Sequence, residues 1–504
     1  MSEPPPPALE VRSNAASPIQ ALPPEILSKI LTLIPRINYA HSYHWNMAKL
    51  EYKSEFRVRS ESSYYAPSYS LGSDLGRVCH TWRNVSLSTP ALWSYIWLDV
   101  FDQYPHPECA MERLQAHLER SKVYPLTITL NLFSGEKAFG EFMTSSEETD
   151  AGSKPVSWSL LKLVLNHGSR IRSLCLHSDD ALTHLLAAHL IPHIRSRVTN
   201  LEYLSMALSD EGYVKDTYCV AEAFKYSELP LLRRFDNCEA YGQPRFPTTH
   251  LTHITIDRMN LANFYKILCE LPYLTSLEVD RLDSRWITTV PDNITIPSPL
   301  CLHTLCVGFN ADTHFLKESF DRFTRLVNLL NCPFLTTLSI GGPHEDSSES
   351  NSDHAQLVLA FNSFIKRSPN IERFRLHSDL KAHDVIGLLR KMPHLITLEL
   401  GHEEITEEFW LEIGNGDFVP KLRDLRFEIR SGHWDWLAFG EMIQQRKNRG
   451  LWSAYVELRN ETVPELDIRL LEALQVEGLA VRVVHSSYSW GNEKVELLGY
   501  RIES

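Results

Sequence analysis

One phrase governs what this chain can fold into: an aliphatic residue, two variable residues, a second aliphatic, one variable residue and a third aliphatic. It occurs at Ile171-Leu174-Leu176, Leu201-Leu204-Met206, Leu251-Ile254-Ile256, Leu274-Leu277-Val279 and Leu302-Leu305-Val307. It continues at Leu335-Leu338-Ile340, Ile371-Phe374-Leu376, Leu395-Leu398-Leu400 and Leu422-Leu425-Phe427. Weaker copies stand at Leu232 to Phe235, Tyr455 to Leu458 and Leu479 to Val483, and a proline often comes just before, as at Pro272, Pro333, Pro369 and Pro393. The alternation of the last two anchors is that of a short strand. From Ile256 through Val279, Val307, Ile340, Leu376 and Leu400 to Phe427, the last anchors fall 23, 28, 33, 36, 24 and 27 residues apart. The intervals carry helical spacing, as in Leu261/Phe264/Ile267/Leu268/Leu271, Val358/Phe361/Phe364/Ile365 and Trp436/Phe439/Met442/Ile443. Strand, crossover helix and strand at this period mean parallel strands. Each unit has an apolar face that it cannot bury alone, so neighbours must stack.

This arrangement resembles the leucine-rich-repeat solenoid, in the irregular form found in F-box proteins. The resemblance implies an α/β fold over residues 101–504, with a curved parallel sheet inside and helices outside. Loops are expected at 134–157 and 341–354, both rich in Gly, Ser and acids; Ser347, Ser348 and Ser350 lie in the second. So many copies of one phrase argue against a doubly wound open sheet. The Asn or Cys that the family places three residues past the last anchor is mostly missing. Asn310 fits, whereas Met259, Leu282, Pro343, Glu403 and Arg430 do not.

Ahead of the repeats, Leu22-Pro23-Pro24-Glu25 reads as a helix start, with proline in the first turn and a carboxylate at the positive end. Ile26, Leu27, Ile30, Leu31, Leu33 and Ile34 follow at helical spacing, and Pro35 ends the run. Full burial of each such side chain is worth about 1.5–3 kcal/mol, so several must meet a core or a partner. A second segment has Val78, Cys79, Trp82 and Val85 on one helical face, then Thr89-Pro90 opening a turn with Leu92 and Trp93. Together these segments resemble the F-box, the adaptor-binding module of cullin-RING ubiquitin ligases, in the form found in fungal, and especially basidiomycete, proteins. The resemblance implies a small all-α module over 18–100 with an insertion at 36–71. It also implies adaptor contacts from Leu22, Pro23, Glu25, Ile26, Leu27, Ile30, Leu33, Ile34, Val78, Cys79, Trp82, Leu92 and Trp93. The chain would then be the substrate-receptor subunit of an SCF-type ligase, not itself an enzyme, bound to a Skp-type adaptor and through it to a cullin. The alternative is a non-catalytic solenoid scaffold outside any ligase.

Composition narrows the classes further. The 504 residues are 43% hydrophobic and 22% charged, enough for a large core, and only residues 1–17 read as a disordered lead-in. A net charge of −13 argues against nucleic acid, whose phosphates need a basic face. No run approaches the roughly 18 apolar residues of a spanning helix, and the N-terminus lacks the basic start and apolar core of a signal peptide. Nine cysteines, odd in number and without a Cys-x-x-Cys, read as reduced thiols of a cytoplasmic or nuclear protein.

Reactive motifs are scarce. There is no phosphate loop, Gly-x-Ser-x-Gly or His-Glu-x-x-His, so neither a catalytic residue, a metal site nor a cofactor is expected. His41 and His44 lack a partner set for a metal. His402-Glu403-Glu404 reads as a solvated turn before a helix beginning at Thr406. Trp434 and Trp436 read as core or rim. A target protein is expected on the concave face, where the residues alternating with the anchors include Ser276/Glu278/Asp280, Arg373/Arg375/His377, Thr397/Glu399/Gly401 and Asp424/Arg426/Glu428. Arg373, Arg375 and His377 suit an acidic or phosphorylated motif, flanked by Glu278, Glu399 and Arg426; the alternative is that they merely balance Glu399, Asp424 and Glu428 within the sheet.

Overall fold

The computed structural model describes residues 22–31, 75–101, 107–133, 156–178, 197–208, 229–240, 250–283, 296–310, 316–341, 351–377, 380–401, 405–417, 419–429, 435–459 and 479–486. The expected lead-in at 1–17, the insertion at 36–71, Leu33, Ile34, the 402–404 turn and most of both expected loops lie outside them. The chain forms two compact units, Met1–Leu176 and His177–Ser504.

The first unit opens with helix α1 (24–31), where Pro24 takes the first position and the Pro23 carbonyl accepts from Ile26 and Leu27 at 3.0 Å each. Helix α2 (His80–Ser88) and a 3-10 turn (Pro90–Trp93) follow. Leu27, Leu31, Leu75, Val85, Leu92 and Trp93 form one buried cluster, with Trp82 packed against it. The Trp93 indole donates to the Ser86 carbonyl at 2.8 Å, and the Arg120 guanidinium lies 4.3 Å from the ring centre. The His117 ring meets the Trp93 ring edge to face, and burial holds its imidazole below the ordinary histidine range.

Strand β1 (Tyr95–Phe101) corrects the expectation of helices through residue 100. Trp93 just before it and Ile96 and Leu98 within it are buried and keep the spacing of the repeat phrase, with tryptophan in place of the first aliphatic. Helix α3 (Pro107–Arg120), strand β2 (Leu126–Phe133), helix α4 (Val156–Leu165) and strand β3 (Ile171–Ser178) follow, the boundary between the units falling within β3. Strand β2 runs parallel to β1, placing Ile128 beside Ile96 and Leu130 beside Leu98.

The second unit repeats this scheme. Its strands are β4 (Tyr203–Leu208), β5 (Arg234–Ala240), β6 (His253–Asn260), β7 (Ser276–Asp283), β8 (Thr304–Asn310) and β9 (Thr337–Gly341). Then come β10 (Arg373–His377), β11 (Thr397–Gly401), β12 (Asp424–Ile429), β13 (Ser453–Arg459) and β14 (Ala480–Ser486). Described crossover helices are α5 (Leu261–Glu270), α6 (Leu316–Leu329), α7 (Asn351–Arg367), α8 (Ala382–Leu389), α9 (Glu407–Asn415) and α10 (Trp436–Lys447). The fourteen strands take their places in one sheet in chain order, and from β4 to β14 each pairs in parallel with the next. All three anchors are buried in rungs such as Leu395-Leu398-Leu400 and Leu422-Leu425-Phe427.

Local chemistry sets the helix ends. Asn260 caps α5 by accepting from the Asn263 amide at 2.8 Å, Thr406 caps α9 through Phe409, and Asp435 caps α10 through Ala438 at 2.9 Å. Gly416 closes α9 at φ 75°, a left-handed conformation in which an L side chain is strained. Two departures from the expected pattern have simple causes. Residues 351–354, read as loop, begin α7. At β13 the buried anchors are Leu451 just before the strand and Ala454 and Val456 within it, four residues ahead of the copy read at Tyr455 to Leu458, because the small Ala454 disguises the middle anchor.

An arginine device recurs between successive crossovers. Arg367, ending α7, donates to the carbonyls of Val327, Asn328 and Leu330 at the end of α6, at 2.9, 3.1 and 3.0 Å. Arg446, near the end of α10, donates to Ile413 in α9 and to Val419 just beyond it. In the first unit Arg170 donates to Leu118 in α3, and to Ser121 Oγ and the Tyr124 carbonyl beyond it. Carbonyls that no helical amide reaches thus gain charged donors. Arg446 is fully buried, and burial pushes its guanidinium down to about 10.

Candidate interaction surfaces

The helical module separates its apolar residues by face. Leu27 and Leu31, one turn apart, point into the buried cluster. Ile26 and Ile30, also one turn apart and offset by one residue, stay 42% and 40% exposed, and Val78 is 57% exposed. Among the other residues expected at an adaptor contact, Leu92 and Trp93 are internal; Leu22, Cys79 and Trp82 are half-buried; Pro23 and Glu25 are exposed. The expected set is therefore two sets, one filling the core and one facing water. Two interleaved i, i+4 pairs were the available signal, and a simple tally of apolar positions overlooks it.

The solvent face of the sheet carries the second expected set. Glu399 sits in register between Arg375 and Arg426. Arg375 Nε lies 2.9 Å from Glu399 Oε1 and donates to His377 Nε2 at 3.0 Å. The other ring nitrogen, Nδ1, lies 3.4 Å from Glu428, so the ring stands between two carboxylates. Gly401 makes this reach possible, since a Cβ there would lie 2.8 Å from the His377 ring. Burial works to raise the Glu399 carboxyl; hydrogen bonding from His377 and the charges of Arg375 and Arg426 outweigh it and hold the group below the usual carboxylate range. Arg373 is exposed between Thr337 and Thr397. Asp424 is engaged by the hydroxyls of Ser453 at 2.6 Å and Thr397 at 3.4 Å. Glu278 stands apart on β7, separated from Arg375 by Cys306 and Ser339.

Toward β5 and β6 the same face turns acidic. The buried Asp236 accepts from the Tyr203 hydroxyl at 2.7 Å and pairs with Arg234 at 3.4 Å. Burial pushes the Asp257 carboxyl up to about 6; the charge of Asp280 adds to this and Arg258 opposes it. The Cys306 thiol is pushed up to about 12 by burial first and Glu278 second, which leaves it a poor nucleophile near neutrality. No group of three or more His, Cys, Asp or Glu among the described residues is arranged to hold a metal.

No known family and no curated protein matches the chain. Among solved structures, the TLR13–ssRNA13 complex matches 66% of this chain and 41% of its own, with 16% identity and a TM-score of 0.32. The chain thus spans less than half the length of that neighbour. The class defined by the chain's own strands is a leucine-rich-repeat-like α/β fold with one long parallel sheet of fourteen strands. Among the described residues no helix is long and apolar enough to cross a membrane.

Proposed function

We propose that this chain is the substrate-receptor subunit of an SCF-type cullin-RING ubiquitin ligase. Its N-terminal F-box-like module binds a Skp-type adaptor, and its repeat sheet holds a target protein. The observation that carries the reading is the outward placement of Ile26, Ile30 and Val78 on a module whose core is already filled by Leu27, Leu31, Leu92 and Trp93. Apolar surface presented this way gains by being covered, and the adaptor is the partner implied by the F-box resemblance. A receptor needs no bond-making residues, because it acts by holding the target near a conjugating enzyme.

On the sheet, Arg375 and His377 serve Glu399 and Glu428, while Arg373 and Arg426 are exposed, Arg426 beside Glu399. An acidic target motif is read by Arg373 and Arg426, since a guanidinium matches carboxylate geometry.

The test is calorimetric titration of the purified chain with a recombinant Skp-type adaptor. Wild type is expected to bind, and Ile26→Asp plus Ile30→Asp to weaken binding by at least about a hundredfold with an unchanged melting curve. A well-folded wild-type chain that ignores the adaptor would instead make this a scaffold outside the ligase.

A further inference from the structure

The N-terminal ends of the described strands in the second unit carry large exposed aromatic residues. The described turns just before the strands line up along one edge because the strands pair in chain order. Tyr273, Phe334 and Trp452 all lie here, 59%, 50% and 62% exposed. Each is held by a neighbour on the same edge. Tyr273 stacks on His250 with ring centres 6.1 Å apart, and Phe334 stacks on His303 at 6.2 Å. Arg423 lies over the Trp452 ring at 4.6 Å.

Charge on this edge runs against that of the chain. Among the described residues of the turns leading into β5 to β13, Arg233, Arg390, Lys391, Lys421, Arg423 and Arg449 stand against two carboxylates, Glu372 and Asp417, although the whole chain carries 63 acidic against 50 basic residues. Lys421 also lies 3.0 Å from the ring of His394 on the preceding turn, extending the polar strip. Preoriented aromatic rings beside cations are the composition of interface hot spots, and rings already stacked lose little freedom when a partner arrives. At about 4.8 Å per strand, the edge from β5 to β13 spans about 38 Å, the length of about twelve extended residues.

We propose that this edge is a second docking surface, separate from the sheet face, for an extended acidic segment of a partner protein. The apolar side chains of that segment lie on Tyr273, Phe334 and Trp452, and its carboxylates pair with Lys421 and Arg423. Neither the F-box-like module nor the sheet-face arginines take part.

A fluorescein-labelled peptide of about twelve residues alternating Glu and Leu serves as probe, with a Lys-and-Leu peptide as its opposite. Anisotropy titrations with the full chain are expected to show the acidic peptide preferred, more weakly as salt rises. Tyr273→Ala plus Phe334→Ala plus Trp452→Ala should weaken binding at least about tenfold, with the melting temperature checked in parallel. Lys421→Glu plus Arg423→Glu should reverse the preference toward the basic peptide, which a merely sticky surface would not do. The proposal is overturned if that reversal leaves the preference unchanged. It is equally overturned if Arg373→Ala plus Arg426→Ala abolishes binding while the edge variants bind normally, or if a single-stranded oligonucleotide of equal charge binds this edge more tightly than the peptide.

Discussion

Helix α1 in the first unit and helix α9 in the second are nearly equal in length, yet their apolar residues meet different surroundings. In α9, Phe409, Trp410 and Ile413 are buried, with Trp410 edge-to-face against Phe427 of β12 and Phe439 of α10. Only Leu411 among its large apolar residues is left outside. In α1, Leu27 and Leu31 are buried, but Ile26 and Ile30 are not. The difference is one of neighbours. A rung inside an array is flanked by other rungs, which cover the sides of its helix as well as its inward face. Apolar content therefore means something different in the two places: core supply within the array, and surface offered to a partner on the module.

The sharpest way to break this contrast is to empty the array side. Trp410→Ala should cost about 3–5 kcal/mol, read as a lowered urea midpoint for the second unit. On the module, Leu27→Ala should cost about 2–4 kcal/mol because it opens the buried cluster, and adaptor binding would fall with the fold. A milder effect, of opposite sign, is expected at Asp257. Its carboxyl titrates near 6 in the folded chain against 3.8 ordinarily, so between those pH values the folded state holds a proton that the unfolded state has lost. Stability therefore falls as pH rises through that window, and the penalty is complete above it. Asp257→Asn should remove the penalty. The gain is about 1–2 kcal/mol near pH 7.5, below the roughly 3 kcal/mol ceiling of the shift because contacts at 3.9 Å to Arg258 and Arg281 are lost too. Melting curves near pH 3.5 should show no gain. The smallest stability effect belongs to Ile26→Asp plus Ile30→Asp, within about 0.5 kcal/mol of wild type, since both side chains already meet water. A large loss there would mean that these residues belong to the core, and the contrast with α9 would disappear.

Much of the array was legible because its signal is redundant. Each rung repeats the same three anchors, so β3, β4 and β6 to β12 could be placed from the phrase alone. β1 was hidden because Trp93 stands for an aliphatic, and the true register of β13 because Ala454 is small. The module was harder to read. Counting apolar residues identifies a helix that needs covering, but separating Leu27 from Ile26 requires knowing where the cluster around Trp93 sits. On the sheet face, sequence assembles a basic rung at Arg373, Arg375 and His377 without revealing which cations have partners. That depends on a ring reaching across Gly401 to Glu428, two strands away. The aromatic edge went unnoticed for a related reason: Tyr273, Phe334 and Trp452 are far apart in sequence and fall in variable positions of the turns.

The arginine device has a consequence for how such a chain comes into being. The carbonyls of Val327, Asn328 and Leu330 at the end of α6 accept from Arg367, 37 residues beyond Leu330, and Ile413 of α9 waits 33 residues for Arg446. The dependence always points the same way, with the later segment finishing the earlier helix. On a ribosome, which releases the chain from its N-terminus, α6 and α9 therefore lack these donors at their last turns until most of the following rung has emerged. At these crossovers synthesis and completion run out of step by about one repeat, and a pause in translation just after one of them leaves its helix end unfinished.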